Sequence, residues 1–209
     1  MNQLPIITIS RQYGSGGRYV GKLLAEQLNI PFYDKEILTL AAKESGIAES
    51  LFEKQEDQPT KSMLFSLVTS YQLQGDLNSV YMDMPLNHKI FMAQFEAIKK
   101  LAEQGPCVIV GRCADYVLAE NKNAVHCFIF ADIDSRIERA VAYYGLEKDK
   151  AEAIILKKDK QRASYYDYYA SGKWGDISHY NLAVDTGAVG VNGTVDVIKA
   201  FIEAKGKAL

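Results

Sequence analysis

The sequence predicts an α/β fold of three layers, α/β/α, around a parallel sheet. Short apolar runs rich in β-branched residues alternate with longer stretches of helical period. The runs are apolar on both faces, as strands covered by helices on each side must be. The residues that follow the runs are glycines, an arginine and several carboxylates, and all of them fall at strand C-termini. In open parallel sheets that edge is where ligands bind.

Leu4, Ile6, Ile7 and Ile9 form the first strand, and Gly14, Ser15, Gly16 and Gly17 then break any regular pattern. Glycines let the backbone turn tightly and approach a ligand. From Arg18 onward, Val20, Leu23, Leu24 and Leu28 recur at helical spacing. A helix opening from such a loop directs unpaired N–H groups and partial positive charge outward, a setting for phosphate. The loop departs from the full pattern G-x-x-x-x-G-K-[ST]. With Gly16 as the second glycine, Gly17 stands in the lysine position and Arg18 in the Ser/Thr position. A later register through Gly21 and Lys22 fails, because Leu23 follows and both residues lie past the first helical turn. A dinucleotide-binding turn lacks its third glycine, since Tyr19 occupies that position.

Asn29-Ile30-Pro31 ends the first helix. Phe32-Tyr33-Asp34 is a short strand or turn ending in a carboxylate, and 35–45 is helical with Ile37, Leu38 and Ala41 on one face and Gly46 as the stop. Asp34 is either the cap of that helix or a ligand-binding carboxylate. Residues 47–86 read as a helical insertion over the open sheet edge, with a polar run at 53–58 and an amphipathic helix carrying Met63, Leu64, Leu67 and Tyr71. Residues 87–104 form a helix with Ile90, Phe91, Phe95, Ile98 and Leu101 on one stripe, ended by Gly105-Pro106. Strands follow at 107–110, before Gly111-Arg112, and at 125–131. Residues 132–144 form a helix with Gly145 as its stop, and a long polar helix spans about 148–169. A last strand covers 181–186, and Thr194 is expected to cap a final helix bearing Val195, Ile198, Phe201 and Ile202.

The 209 residues suffice for one domain, and 48% apolar content supports a full core. A net charge of −2 provides no global field for nucleic acid. The N-terminal segment is too short for a signal peptide or a membrane span, and no later run approaches a span. Cys107, Cys113 and Cys127 lie in or near apolar strands, which points to buried, reduced thiols in a cytoplasmic protein. A catalytic Cys113 paired with His126 or His88 is the less favoured reading.

Four stretches together, ITISRQYGSGG, IPFYDKEIL, VIVGRCADYVL and YYDYYASGKWGD with YNLAVDTG, resemble the cytidylate kinase-like family of P-loop proteins. The resemblance spans nearly the whole chain outside 47–86. It implies a single P-loop NTPase-like domain over 1–209, with 47–86 as an acceptor-side insertion and 148–175 as a lid. It implies ATP with Mg²⁺, a nucleotide and a small-molecule acceptor as partners, and phosphoryl transfer to an acceptor such as CMP. Gly14, Ser15, Gly16, Gly17 and Arg18 would hold the triphosphate. Asp34 and Arg112 would hold the acceptor, and Lys158 and Arg162 would close over the phosphates from the lid. Phosphoryl transfer needs cations on the transferring group. Arg11, Arg18 or Lys22 would stand in for the absent loop lysine, and Ser15 for the metal-binding hydroxyl. No dedicated protein metal site is expected, and the sequence is compatible with a homodimer. Two other readings fit the same residues: a nucleotide-binding sensor without turnover, and a kinase for a non-nucleotide metabolite.

Overall fold

A computed structural model describes residues 4–56, 84–170 and 172–208. Five strands form one sheet in the order β2-β3-β1-β4-β5. They are β1 (Ile6–Arg11), β2 (Phe32–Tyr33), β3 (Val108–Val110), β4 (Ala124–Phe130) and β5 (Leu182–Asp185), and every pairing is parallel. Ile7 lies between Val108 of β3 and Val125 of β4 in register, so β1 is the central strand.

Its side chains explain the layers. Ile7 and Ile9 point to one face, where α1 (Gly17–Leu28) and α8 (Thr186–Ala208) cover Val108, Val110, Val125, Cys127 and Ile129. Ile6 points to the other face, towards α2 (Glu36–Ser45), α3 (Glu49–Glu56) and α4 (Leu86–Glu103). Thr8 and Ser10 follow Ile6 on that second face. Each is buried, and each bonds a side chain, Thr8 to His126 at 2.8 Å and Ser10 to Asp115 at 3.2 Å. Buried hydroxyls need such partners.

The remaining elements are α5 (Ala114–Val117), α6 (Ile133–Tyr144), α7 (Lys148–Tyr169) and a 3₁₀ turn at Ile177–His179. The short α5 was not expected, because four residues carry no readable period. The last helix differs from expectation. It starts at Thr186 and passes through a kink at Gly190, whose φ of 69° and ψ of 176° are non-helical. Thr194 therefore lies within the helix as a buried residue, its hydroxyl donating to the Gly190 carbonyl at 2.7 Å, and it does not cap. Met63, Leu64, Leu67 and Tyr71 fall outside the described residues. No helix among the described residues is long and apolar enough to cross a membrane.

Candidate active site

A cavity of about 530 Å³ opens at the C-terminal ends of β1 and β3. The strand order places it where the connections change direction, since β2 and β3 lie on one side of β1 and β4 and β5 on the other. Arg11 comes from the end of β1, Arg18 from the first turn of α1, Asp34 and Lys35 from the end of β2, and Arg112 from the end of β3. Lys158 and Arg162 enter from α7, one helical turn apart. Among the described residues six cationic side chains thus line the cavity with one carboxylate, Asp34.

The glycine loop is held from behind. Gly14 and Gly16 have φ near 80°, a region costly for other residues. A Cβ at Gly14 would lie 2.8 Å from the Arg136 carbonyl oxygen. Arg139 donates to the Gly14 carbonyl at 2.9 Å, and Thr186 donates to the Ser15 carbonyl at 2.6 Å. Ser15 is fully buried and its hydroxyl donates to the Gln12 carbonyl at 2.9 Å. Gly14, Ser15, Gly16 and Gly17 are not part of the cavity lining.

Asp34 is not a helix cap, because the cap position of α2 is Lys35. Its side chain is buried and accepts from Arg18 Nε at 2.5 Å, while its carbonyl accepts from Arg112 Nε at 3.1 Å. One residue therefore orients two of the arginines. The Arg18 side chain is 59% exposed, so it has room to turn from Asp34 to a ligand. Its hydrogen bond to Asp34 raises the guanidinium pKa further, against a smaller opposing effect of burial. Gly111, Arg112 and Cys113 have φ of 76°, 57° and 54°. Two successive non-glycine residues in the left-handed region store backbone strain, and such strain concentrates at functional sites. Lys22 is 61% exposed and faces Glu26, away from the lining.

The basic helix α7 is docked by contacts that sequence reading missed. Asp159 accepts from the Tyr13 backbone N–H at 2.7 Å and pairs with Arg136. Arg162 donates to the Arg11 carbonyl at 3.0 Å and lies over the Tyr13 ring. Asp115, buried, accepts from Tyr166 at 2.7 Å as well as from Ser10. Burial, followed by the nearby Asp115 charge, drives the Tyr166 hydroxyl pKa far up, so it remains a donor. The tyrosine run is largely packing. Tyr169 stacks on Phe91 of α4 with centroids 4.2 Å apart, and Tyr168 bonds His88 at 2.9 Å. Trp174 sets its edge against Phe128.

The cysteines are structural. All three are buried, and burial pushes Cys107 up to about 11, Cys127 up to about 12 and Cys113 well up. His126 is taken by Thr8 and His88 by Tyr168. Among the described residues no group of three or more His, Cys, Asp or Glu gathers as a metal site. The cation-rich lining suits phosphate groups; Mg²⁺ is commonly held through substrate phosphates and water with one or two carboxylates, and Asp34 is the carboxylate the lining offers among the described residues.

The sequence profile of the cytidylate kinase-like family matches residues 6–188. Cytidylate kinases of Methanocaldococcus jannaschii and Pyrococcus horikoshii are each 24% identical to the chain, over 205 and 200 residues. Both alignments cover 95% of this chain, with 97% and 88% of the respective relatives. Among solved structures, an uncharacterized protein from Eubacterium ventriosum matches with a TM-score of 0.69 at 31% identity, over 95% of this chain and 98% of that one. Shikimate kinase from Acinetobacter baumannii, solved in complex with shikimate, matches with a TM-score of 0.54 at 13% identity, over 97% and 95%. The latter is a likeness of fold.

Proposed function

Since the chain belongs to the cytidylate kinase-like family and has a P-loop NTPase-like α/β/α fold, we propose that it transfers the γ-phosphoryl group of ATP to a small acceptor, with CMP the first candidate. The observation that carries this is the set of six cations that, among the described residues, line one cavity with a single carboxylate at the C-terminal edge of the sheet. Such a set suits two phosphate-bearing ligands meeting in one cavity, because charge on the transferring group must be neutralised in the transition state.

Arg112, aimed by the Asp34 carbonyl, clamps the acceptor phosphate, and its planar fork suits that task better than an ammonium. Asp34 helps hold the acceptor and stores Arg18 until a phosphate draws it away. Arg11, Arg18, Lys158 and Arg162 surround the triphosphate, which Gly14, Ser15, Gly16 and Gly17 approach through backbone N–H groups. Mg²⁺, bound on the phosphates, supplies further charge neutralisation. The chain acts as one domain over 1–209, and the 148–175 segment serves as a lid that excludes water. The buried, reduced thiols suit a cytoplasmic setting.

A second reading, a nucleotide sensor without turnover, is favoured by Gly17 and Arg18 standing where a full P-loop has lysine and Ser/Thr. A coupled ADP-release assay over nucleoside monophosphates and polyol acceptors, beside calorimetry with ATP, separates the readings. Turnover with CMP supports the nucleotide kinase, turnover with a polyol alone supports a metabolite kinase, and ATP binding without turnover supports the sensor.

A further inference from the structure

Gln94 stands out in the lining of the cavity. It lies in mid-helix on α4, is 3% exposed, and contributes to the cavity lining. Its amide atoms are not among the buried polar atoms left without a partner among the described residues, and the residue lines the cavity, so the amide is open to what the cavity holds. An amide in a cavity wall can offer its acceptor and its donors to a ligand. Both neighbouring helical turns bury apolar side chains, Ile90 and Phe91 before it and Ala97 and Ile98 after it, so a hydrocarbon would suit a purely structural position better. The amide therefore points to a ligand group that completes it.

The surroundings define that group. Phe52, Cys113 and Tyr165 line the cavity with Gln94, as does a second amide, Gln161, while Arg112 and Asp34 lie on the same cavity at the strand ends. Apolar and aromatic side chains with a few convergent polar groups suit a flat heteroaromatic ring. A polyol would need several partners in place of those apolar side chains. A carboxamide offers one acceptor and two donors side by side, and matches a ring edge that presents a donor beside an acceptor. We propose that Gln94 is a specificity-determining residue that hydrogen-bonds the base of the acceptor, through the edge of a pyrimidine carrying its exocyclic 4-group. This rests on reading the cavity as the acceptor site, with Arg112 on the acceptor phosphate.

Equilibrium calorimetry with CMP, with pyrimidin-2-one ribonucleoside 5′-monophosphate, which lacks the 4-amino group, and with ribose 5-phosphate tests this. The wild-type protein should bind CMP about tenfold or more tightly than either other ligand, the range of one good edge contact. Gln94→Met, similar in volume and unbranched, should reduce CMP affinity by about tenfold, reduce affinity for the 4-deamino ligand, which keeps the ring acceptor, by less, and leave ATP unchanged. ATP binding reports that the variant is folded, and the wild-type ligand series stands without any variant. Equal wild-type affinity for CMP and its 4-deamino analogue overturns the assignment, as does undiminished CMP binding by Gln94→Met. Because binding is read apart from turnover, CMP recognition without phosphoryl transfer would sink the kinase reading and leave Gln94 in place. Transfer to a polyol with no CMP binding would do the reverse.

Discussion

Replacing Tyr166 with phenylalanine removes one oxygen and should loosen α7 from the sheet. The Tyr166 hydroxyl donates to Asp115 Oδ2 at 2.7 Å, and both residues are at least 95% buried, at 5% and 3% exposed. Asp115 would retain Ser10, whose bond to the other oxygen is longer at 3.2 Å. Loss of a hydrogen bond to a buried charged group costs about 1.5–3 kcal/mol, which converts to roughly a tenfold to hundredfold larger open population. The ring keeps its packing against Cys113 and Ala170, so the loss reports the hydroxyl. Urea denaturation should show the full cost, and amide exchange across 148–169 should accelerate by a comparable factor. Binding of a non-hydrolysable ATP analogue should restore protection if the segment closes over phosphates. Asp115→Asn keeps an acceptor for Tyr166 while removing the buried charge, and should be milder. Stability within about 0.3 kcal/mol of wild type, well under the expected hydrogen-bond energy, together with unchanged exchange, would falsify the argument that this bond docks the helix.

Gly16→Val, at φ 82°, places a β-branched residue in a left-handed turn and should abolish ATP binding by calorimetry in a protein that still folds by circular dichroism. Arg112→Lys loses the planar fork that Asp34 orients, so acceptor KM should rise about tenfold or more with ATP affinity little changed; equal losses of both affinities would mark a structural arginine. Arg11→Ala or Arg18→Ala should lower kcat roughly a hundredfold with smaller effects on ATP binding, whereas Lys22→Ala, whose side chain faces Glu26, should turn over normally; full turnover by both arginine variants refutes compensation for the absent loop lysine. Burial lowers the His126 pKa from 6.5, so the folded state binds its proton less readily than the unfolded chain. The stability this represents is present above about pH 6.5 and is lost as pH falls towards the folded value; denaturation curves should show this slope, and His126→Gln should flatten it.

The alternation of strand and helix was legible because it rests on local period. Ile6, Ile7 and Ile9 announce β1, and the stripe from Ile90 to Leu101 announces α4, before any contact between them is known. The collection of Arg11, Arg18, Asp34 and Arg112 at one edge was legible too, because parallel strands of one sheet must all end on the same side. The unexpected α5 and the kink at Gly190 were not legible. A four-residue helix has no period, and the bend at Gly190 depends on how the chain leaves β5.

Tertiary structure alone decided which polar residues do more than face water. Asp115 reads as one more carboxylate after Gly111-Arg112, yet it receives Tyr166 from 51 residues away. Asp159 reads as part of a solvated charged helix, yet it receives the backbone of Tyr13 across 146 residues. Gln94 sits among apolar neighbours with nothing in its spacing to mark it. Composition and period thus determined an α/β/α protein with a glycine loop and a basic edge. Whether a charge pairs, waits or is buried was decided by distances between residues far apart in the chain, because electrostatics and desolvation depend on separation and burial in space, and the local pattern encodes neither.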